Sequence, residues 1–149
     1  MLLRWLIASL HLLALPLGLG AVWARARALG LVRTADDLDR AFVADNLWGA
    51  AAGLWLVTGL VRVFGGVEKG AFYYLHDRAF IAKMGLFIII LLLEIRPMVT
   101  LIRWRIGLRR GNSLSLESAP ALARITWVQA CLVVLMVFAA TAVARGFFY

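Results

Sequence analysis

The sequence predicts an all-α fold, an integral membrane bundle of four helices. Three observations carry that expectation. Of the 149 residues, 64% are hydrophobic, and the mean hydropathy of +0.90 means more apolar surface than a water-soluble domain of this size buries. Four apolar runs, at residues 2–24, 41–64, 79–102 and 121–144, are each long enough to cross a hydrocarbon layer of roughly 30 Å, which takes about 20 helical residues. The connections between them are short and unequally charged. The runs leave almost no room for a separate soluble domain, so residues 1–149 are expected to form one membrane domain.

Between Leu2 and Ala24 the first run holds only two ionisable side chains, Arg4 and His11. Arg4 together with Val22-Trp23-Ala24 has the outline of a cleavable signal peptide. The apolar stretch, however, exceeds the usual core of about 7–15 residues and is followed at once by Arg25 and Arg27, so it is expected to remain as a span. Thr34 followed by Asp37 reads as a capping box before the second helix, with Asp36 and Asp39 also favouring the positive end of its dipole. Gly65-Gly66 ends that helix. Gly70 precedes "AFYYLHDRAF", whose Phe72, Tyr73 and Tyr74 suit the aromatic belt of a membrane interface. Gly111-Asn112 stops the third helix after a basic extension, and Ser118 with Pro120 opens the fourth, where the missing proline N–H does no harm.

Charge sets the expected orientation, because Lys and Arg in short loops stay on the cytoplasmic side. Arg25, Arg27, Arg33 and Arg40 follow the first run, and Arg96, Arg103, Arg105, Arg109, Arg110 and Arg124 cluster around the third connection. The other side has Arg4, Arg62, Lys69, Arg78 and Arg145. Ten against five, with Lys83 inside the third span, predicts both termini outside the cytoplasm. The formal charge of +8 is then explained by topology and by attraction of the cytoplasmic loops to anionic headgroups, and nucleic acid is not expected as a partner.

Ionisable residues within the spans are costly in hydrocarbon and are therefore the first candidates for function. In the third helix His76, Phe80, Lys83, Phe87, Ile90, Glu94 and Pro97 share one face at spacings of four and three. In the first, Arg4, Gly18 and Arg25 lie at multiples of seven from His11, along the same side. Glu94 is expected to pair at the inner face with Arg96 or Arg124, and Asp45-Asn46 to pair there too or to pack as polar glue. Gly49 and Gly53 form a GxxxG pair that reads as a helix-packing seam. Cys131, the single cysteine, cannot form an internal disulfide and is expected to pack as a small apolar residue. With His11 and His76 the only histidines, no paired-histidine zinc motif exists.

Two classes of function follow. His11 and Lys83, at comparable expected depth, are nitrogen donors able to bind the iron of haem b axially, with His76 an alternative second ligand. Arg4, Arg62 and Arg78 at the rim would match porphyrin propionates. In the other class Lys83 snorkels to the headgroups, His11 is a neutral packing residue, and the chain is an accessory subunit or assembly factor of a larger membrane complex, or a homo-oligomer, without a cofactor.

The stretches "LHLLALPLGLGAVWARARAL", "ADNLWGAAAGLWLVTGLVRVFGGVEKGAFYYLHDRAFIAKMGLFIIILLLEIRPMVTLIRWR" and "ARITWVQACLVVLMVFAATAVARG" resemble an uncharacterised bacterial family of predicted membrane proteins over nearly the whole chain. That resemblance implies a multi-pass protein of the bacterial inner membrane and carries no activity. More distantly, the layout is similar to the flavin-independent, haem b-binding membrane protoporphyrinogen IX oxidase. This second resemblance implies a functional first-helix histidine and third-helix lysine, matched here by His11 and Lys83. The chain differs in having Phe80 where a Trp-x-His run is expected before the lysine, and Glu94 where further histidines are expected.

Overall fold

The computed structural model describes residues 1–65, 76 and 78–145. Gly66, Lys69, Gly70, Phe72, Tyr73, Tyr74 and Asp77, all in the second connection of the sequence, lie outside the described residues. Four long helices account for most of the rest: α1 Leu2–Leu31, α2 Leu38–Phe64, α3 Arg78–Arg109 and α4 Ala119–Arg145, with a 3₁₀ turn at Ala35–Asp37 before α2. Each of the four expected apolar runs falls inside one helix. All four are long and apolar enough to cross a membrane. At about 1.5 Å per residue they measure roughly 40–48 Å, so their ends reach through the headgroup layers.

In lipid a helix satisfies its backbone N–H and C=O groups internally, which is why these sequences, polar at few positions, take this form. Pro16 and Pro97 sit inside α1 and α3 without ending them. The ends follow local chemistry. Before α2, the Asp37 carboxylate accepts the backbone N–H groups of Arg33 and Thr34, both at 2.8 Å. After α3, Gly111 adopts φ of +69°. Its N–H donates to the Leu108 carbonyl, and the Asn112 N–H donates to the Gly107 carbonyl, both at 3.0 Å. That is the Schellman stop, and it needs a residue at ease in the left-handed region. Pro120 falls in the first turn of α4.

Packing orders the helices α2, α1, α4, α3: α1 packs on α2 and α4, and α3 packs on α4. Thus α1 and α3 stand at opposite corners. The interior is built in layers. Ala14, Val22, Trp55, Ile90, Val133 and Met136 belong to one apolar cluster, and Leu29, Leu38, Ala41, Leu101, Trp104 and Leu122 to another. A polar layer separates them.

The close α1/α2 approach uses Gly18, where an added Cβ would stand 3.5 Å from both Ala51 and the Trp48 ring. It does not use the Gly49/Gly53 pair. Both of those glycines are exposed, and a Cβ on either would meet nothing within 4 Å. The reason is helical phase: Ala44, Trp48, Ala51 and Trp55, at spacings of four and three, form the buried face of α2, and the two glycines lie off it. Cys131 is likewise exposed on α4 rather than packed.

Gly18→Leu is expected to wedge α1 from α2 and to destabilise the bundle by about 1–3 kcal/mol, the usual cost of overpacking. Gly49→Ala should leave stability unchanged within about 0.5 kcal/mol. Unfolding titrations of the detergent-solubilised variants measure both.

Candidate functional site

The polar layer is centred on Arg25, whose side chain is fully buried. It lies one turn beyond Val22 and one turn before Leu29, so apolar layers cover it on both sides. Its Nη1 donates to Asp45 Oδ1 at 2.8 Å and to Glu94 Oε1 at 2.6 Å. Its Nη2 donates to Glu94 Oε2 at 2.7 Å and to Gln129 Oε1 at 3.0 Å. The guanidinium therefore grips Glu94 through both nitrogens, the fork geometry that lysine cannot supply, and it lies 5.8 Å from the centre of the Trp48 ring. Gln129 completes the circuit, its Nε2 donating to Glu94 Oε2 at 2.8 Å and to the Ile90 carbonyl at 3.2 Å. One residue from each of the four helices meets here.

Asp45 extends the layer. Its Oδ2 accepts from Arg105 Nη2 at 2.9 Å, and Arg105 also donates to the Phe42 carbonyl at 3.0 Å and to Asn46 Oδ1 at 2.7 Å. Two guanidinium groups and two carboxylates balance to zero net charge, so this layer compensates its own charges inside the bundle.

Glu94 thus pairs with Arg25 and Gln129, not with Arg96 or Arg124, which are exposed. Arg25 is hidden from a reading by loops, because it follows the apolar run immediately. Helix α1 nevertheless continues six residues beyond it. The available signal was the seven-residue stripe His11, Gly18, Arg25, which is the face α1 turns to α2. With Arg25 and Arg105 serving as internal struts, the loop tally becomes eight against five and keeps its sign.

The family match covers residues 3–147, under the description "predicted membrane protein (DUF2214)". The chain belongs to this family. No curated protein and no solved structure matches it. The four apolar helices are those of the membrane protein that the family description names, and roles for individual side chains rest on their geometry in this member.

His11 occupies the seam between α1 and α2. Its Nδ1 is 2.8 Å from Thr58 Oγ1, its ring centre is 6.1 Å from that of Trp55, and a Cβ on Gly59 would lie 3.4 Å from its Cε1. Thr58 donates its own proton to the Leu54 carbonyl at 2.6 Å. With that proton committed to the carbonyl, the hydroxyl oxygen is an acceptor for an Nδ1–H of His11, and in the tautomer that carries it Nε2 bears the lone pair.

Lys83 is half-buried on α3. Measured along the helices from the polar layer, His11 lies about 21 Å from Arg25 and Lys83 about 16 Å from Glu94 toward the same end of the bundle. They stand at similar depth on diagonal helices. Arg4 and Arg78 are exposed in the first turns of α1 and α3, Arg62 is half-buried in the last turn of α2, and His76 is exposed just before α3. All four belong to that end. Among the described residues no group of three or more His, Cys, Asp or Glu side chains is placed to hold a metal ion.

Arg25→Met is expected to destabilise the fold by on the order of 3–5 kcal/mol, because it strands the Glu94 carboxylate inside the bundle and leaves Asp45 with Arg105 alone. Combined with Glu94→Met, which leaves Asp45 with Arg105, the loss should be clearly smaller than the sum of the two single losses. A double-mutant cycle in detergent reads the difference; strict additivity would show that the pair is uncoupled.

Proposed function

We propose that this membrane protein binds haem b, or another tetrapyrrole, with His11 as an axial ligand. The observation that carries this reading is the Thr58 hydrogen bond to Nδ1. A ligating histidine characteristically donates its other ring N–H to an oxygen, which fixes the tautomer and turns the lone pair toward the metal. Thr58 offers such an oxygen to Nδ1, so the donor chemistry of His11 fits the group. Lys83 is the candidate second nitrogen donor, at similar depth on α3, with His76 its alternative. Arg4, Arg62 and Arg78, at the same end, supply guanidinium groups for propionates. A bound haem would bring redox chemistry; the chain's own residues would position it and exclude water.

The polar layer favours a second reading, a cofactor-free accessory subunit. The charges of Arg25, Arg105, Asp45 and Glu94 compensate one another within the chain, as a scaffold requires.

Protein purified in mild detergent from haem-replete cells is expected to show a Soret band and a pyridine-haemochrome signal. His11→Ala should abolish or shift the reduced spectrum, and Thr58→Val should shift it with less loss of haem. A haem-free preparation, or unchanged spectra in both His11→Ala and Lys83→Ala, would overturn the ligand assignment. The scaffold reading predicts instead that the chain leaves native membranes as part of one defined larger complex.

A further inference from the structure

The reach of Arg105 identifies the face of α2 that looks at α3, since its guanidinium bonds the Phe42 carbonyl, Asp45 and Asn46. Continuing from Phe42 and Asn46 at spacings of three and four, the same stripe runs through Gly49 and Gly53. Both glycines are exposed and face open space. On α3 the stripe continuing from Arg105 in steps of seven passes through Met98 and Leu91, each 44% exposed. Helices α2 and α3 pack on α1 and α4 rather than on each other, so these two stripes wall an apolar groove open to the lipid.

The groove ends in a cleft of about 260 Å³ lined by Phe42, Arg105, Leu108 and Arg109. Arg105 covers the Phe42 ring at 4.8 Å, and its buried Nε–H has no hydrogen-bond partner among the described residues. Arg109, one turn further on, is exposed. Arg105 is already balanced by Asp45, so the exposed Arg109 supplies the net positive charge at this end, and an occupant with an anionic head and an apolar tail complements it. The rise from Phe42 to Gly53 is about 16 Å, roughly half of the ~30 Å hydrocarbon core, the depth one acyl chain occupies in its own leaflet.

We propose that the α2/α3 groove binds an anionic phospholipid, its phosphate against Arg109 at the Arg105 end and one acyl chain along Gly49 and Gly53. The guanidinium fork suits phosphate, and the lack of side chains at Gly49 and Gly53, which face open space, leaves room for the acyl chain against the α2 backbone.

Native mass spectrometry of the full chain tests this, with phosphatidylglycerol and phosphatidylethanolamine of identical acyl chains as probes and inorganic phosphate as competitor. The wild type should retain phosphatidylglycerol severalfold better than phosphatidylethanolamine. Arg109→Gln should reduce that preference about fivefold, the effect of one basic residue at an anionic surface. Gly53→Leu should reduce retention of both lipids while the thermal midpoint stays that of the wild type, because the site is open. Equal retention of the two lipids by the wild type, or retention unchanged in both variants, overturns the proposal. So does full displacement of the lipid by inorganic phosphate, which would make this a free-anion site. Loss of a dimer in Gly53→Leu with lipid retention intact would assign the groove to a second copy, and that also overturns it.

Discussion

A guanidinium group cannot be left alone in hydrocarbon, and in this chain the burial of Arg25 decides much else. Its charge is compensated by Glu94 and Asp45, but compensation alone does not explain the arrangement. Each Nη nitrogen makes two hydrogen bonds, Glu94 is gripped through both oxygens, and Gln129 takes the remaining place with its own amide satisfied on the far side. The Arg25 side chain is fully buried, so each of these Nη hydrogens needs a protein acceptor, while Nε finds none among the described residues. Supplying them takes one residue from every helix. The polar layer therefore fixes the axial register of all four helices at once, which apolar packing in lipid, being tolerant of sliding, does less well.

Once that register is set, the other end of the bundle follows from helical rise. His11 on α1 meets Thr58 on α2 because the two helices run antiparallel from the Arg25–Asp45 pair and are brought together by Gly18. Lys83 on α3 reaches comparable depth by the same geometry from Glu94. The order of helices, with α1 and α3 on a diagonal, also follows from unequal contacts: α1 presents small residues such as Gly18 to α2, whereas α3 meets α2 through a long side chain. The two candidate nitrogen donors thus share a level while belonging to elements that do not pack closely on each other.

The spans, the capping carboxylate of Asp37, the Gly111 stop and the placement of Pro120 were all readable from the residues, because each depends on local chemistry or on the length of an apolar run. The partners of Glu94 were not. Choosing among arginines requires knowing which way each faces, and Arg25 looks like the first loop residue until the helix is seen to continue past it. The phase of His11, Gly18 and Arg25 held that information, but a stripe says that residues share a side and not which helix they meet. For the same reason Gly49 and Gly53 read as an internal seam. Their spacing marks a flat surface on α2; only the direction of Ala44, Trp48 and Ala51 shows that α1 lies elsewhere.

Arg105 connects these points. Bonded at once to Asp45, Asn46 and the Phe42 carbonyl, it ties α3 to α2 through the full length of an arginine side chain, whereas helices in direct contact sit about 8–10 Å apart. Two apolar faces in lipid have little reason to close that gap, since lipid tails solvate them as well as each other. The strut therefore does two things: it supplies the second positive charge that lets Asp45 sit beside Arg25, and it keeps the glycine face of α2 uncovered. Electrostatic balance inside the bundle and an open groove on its surface are consequences of the same side chain.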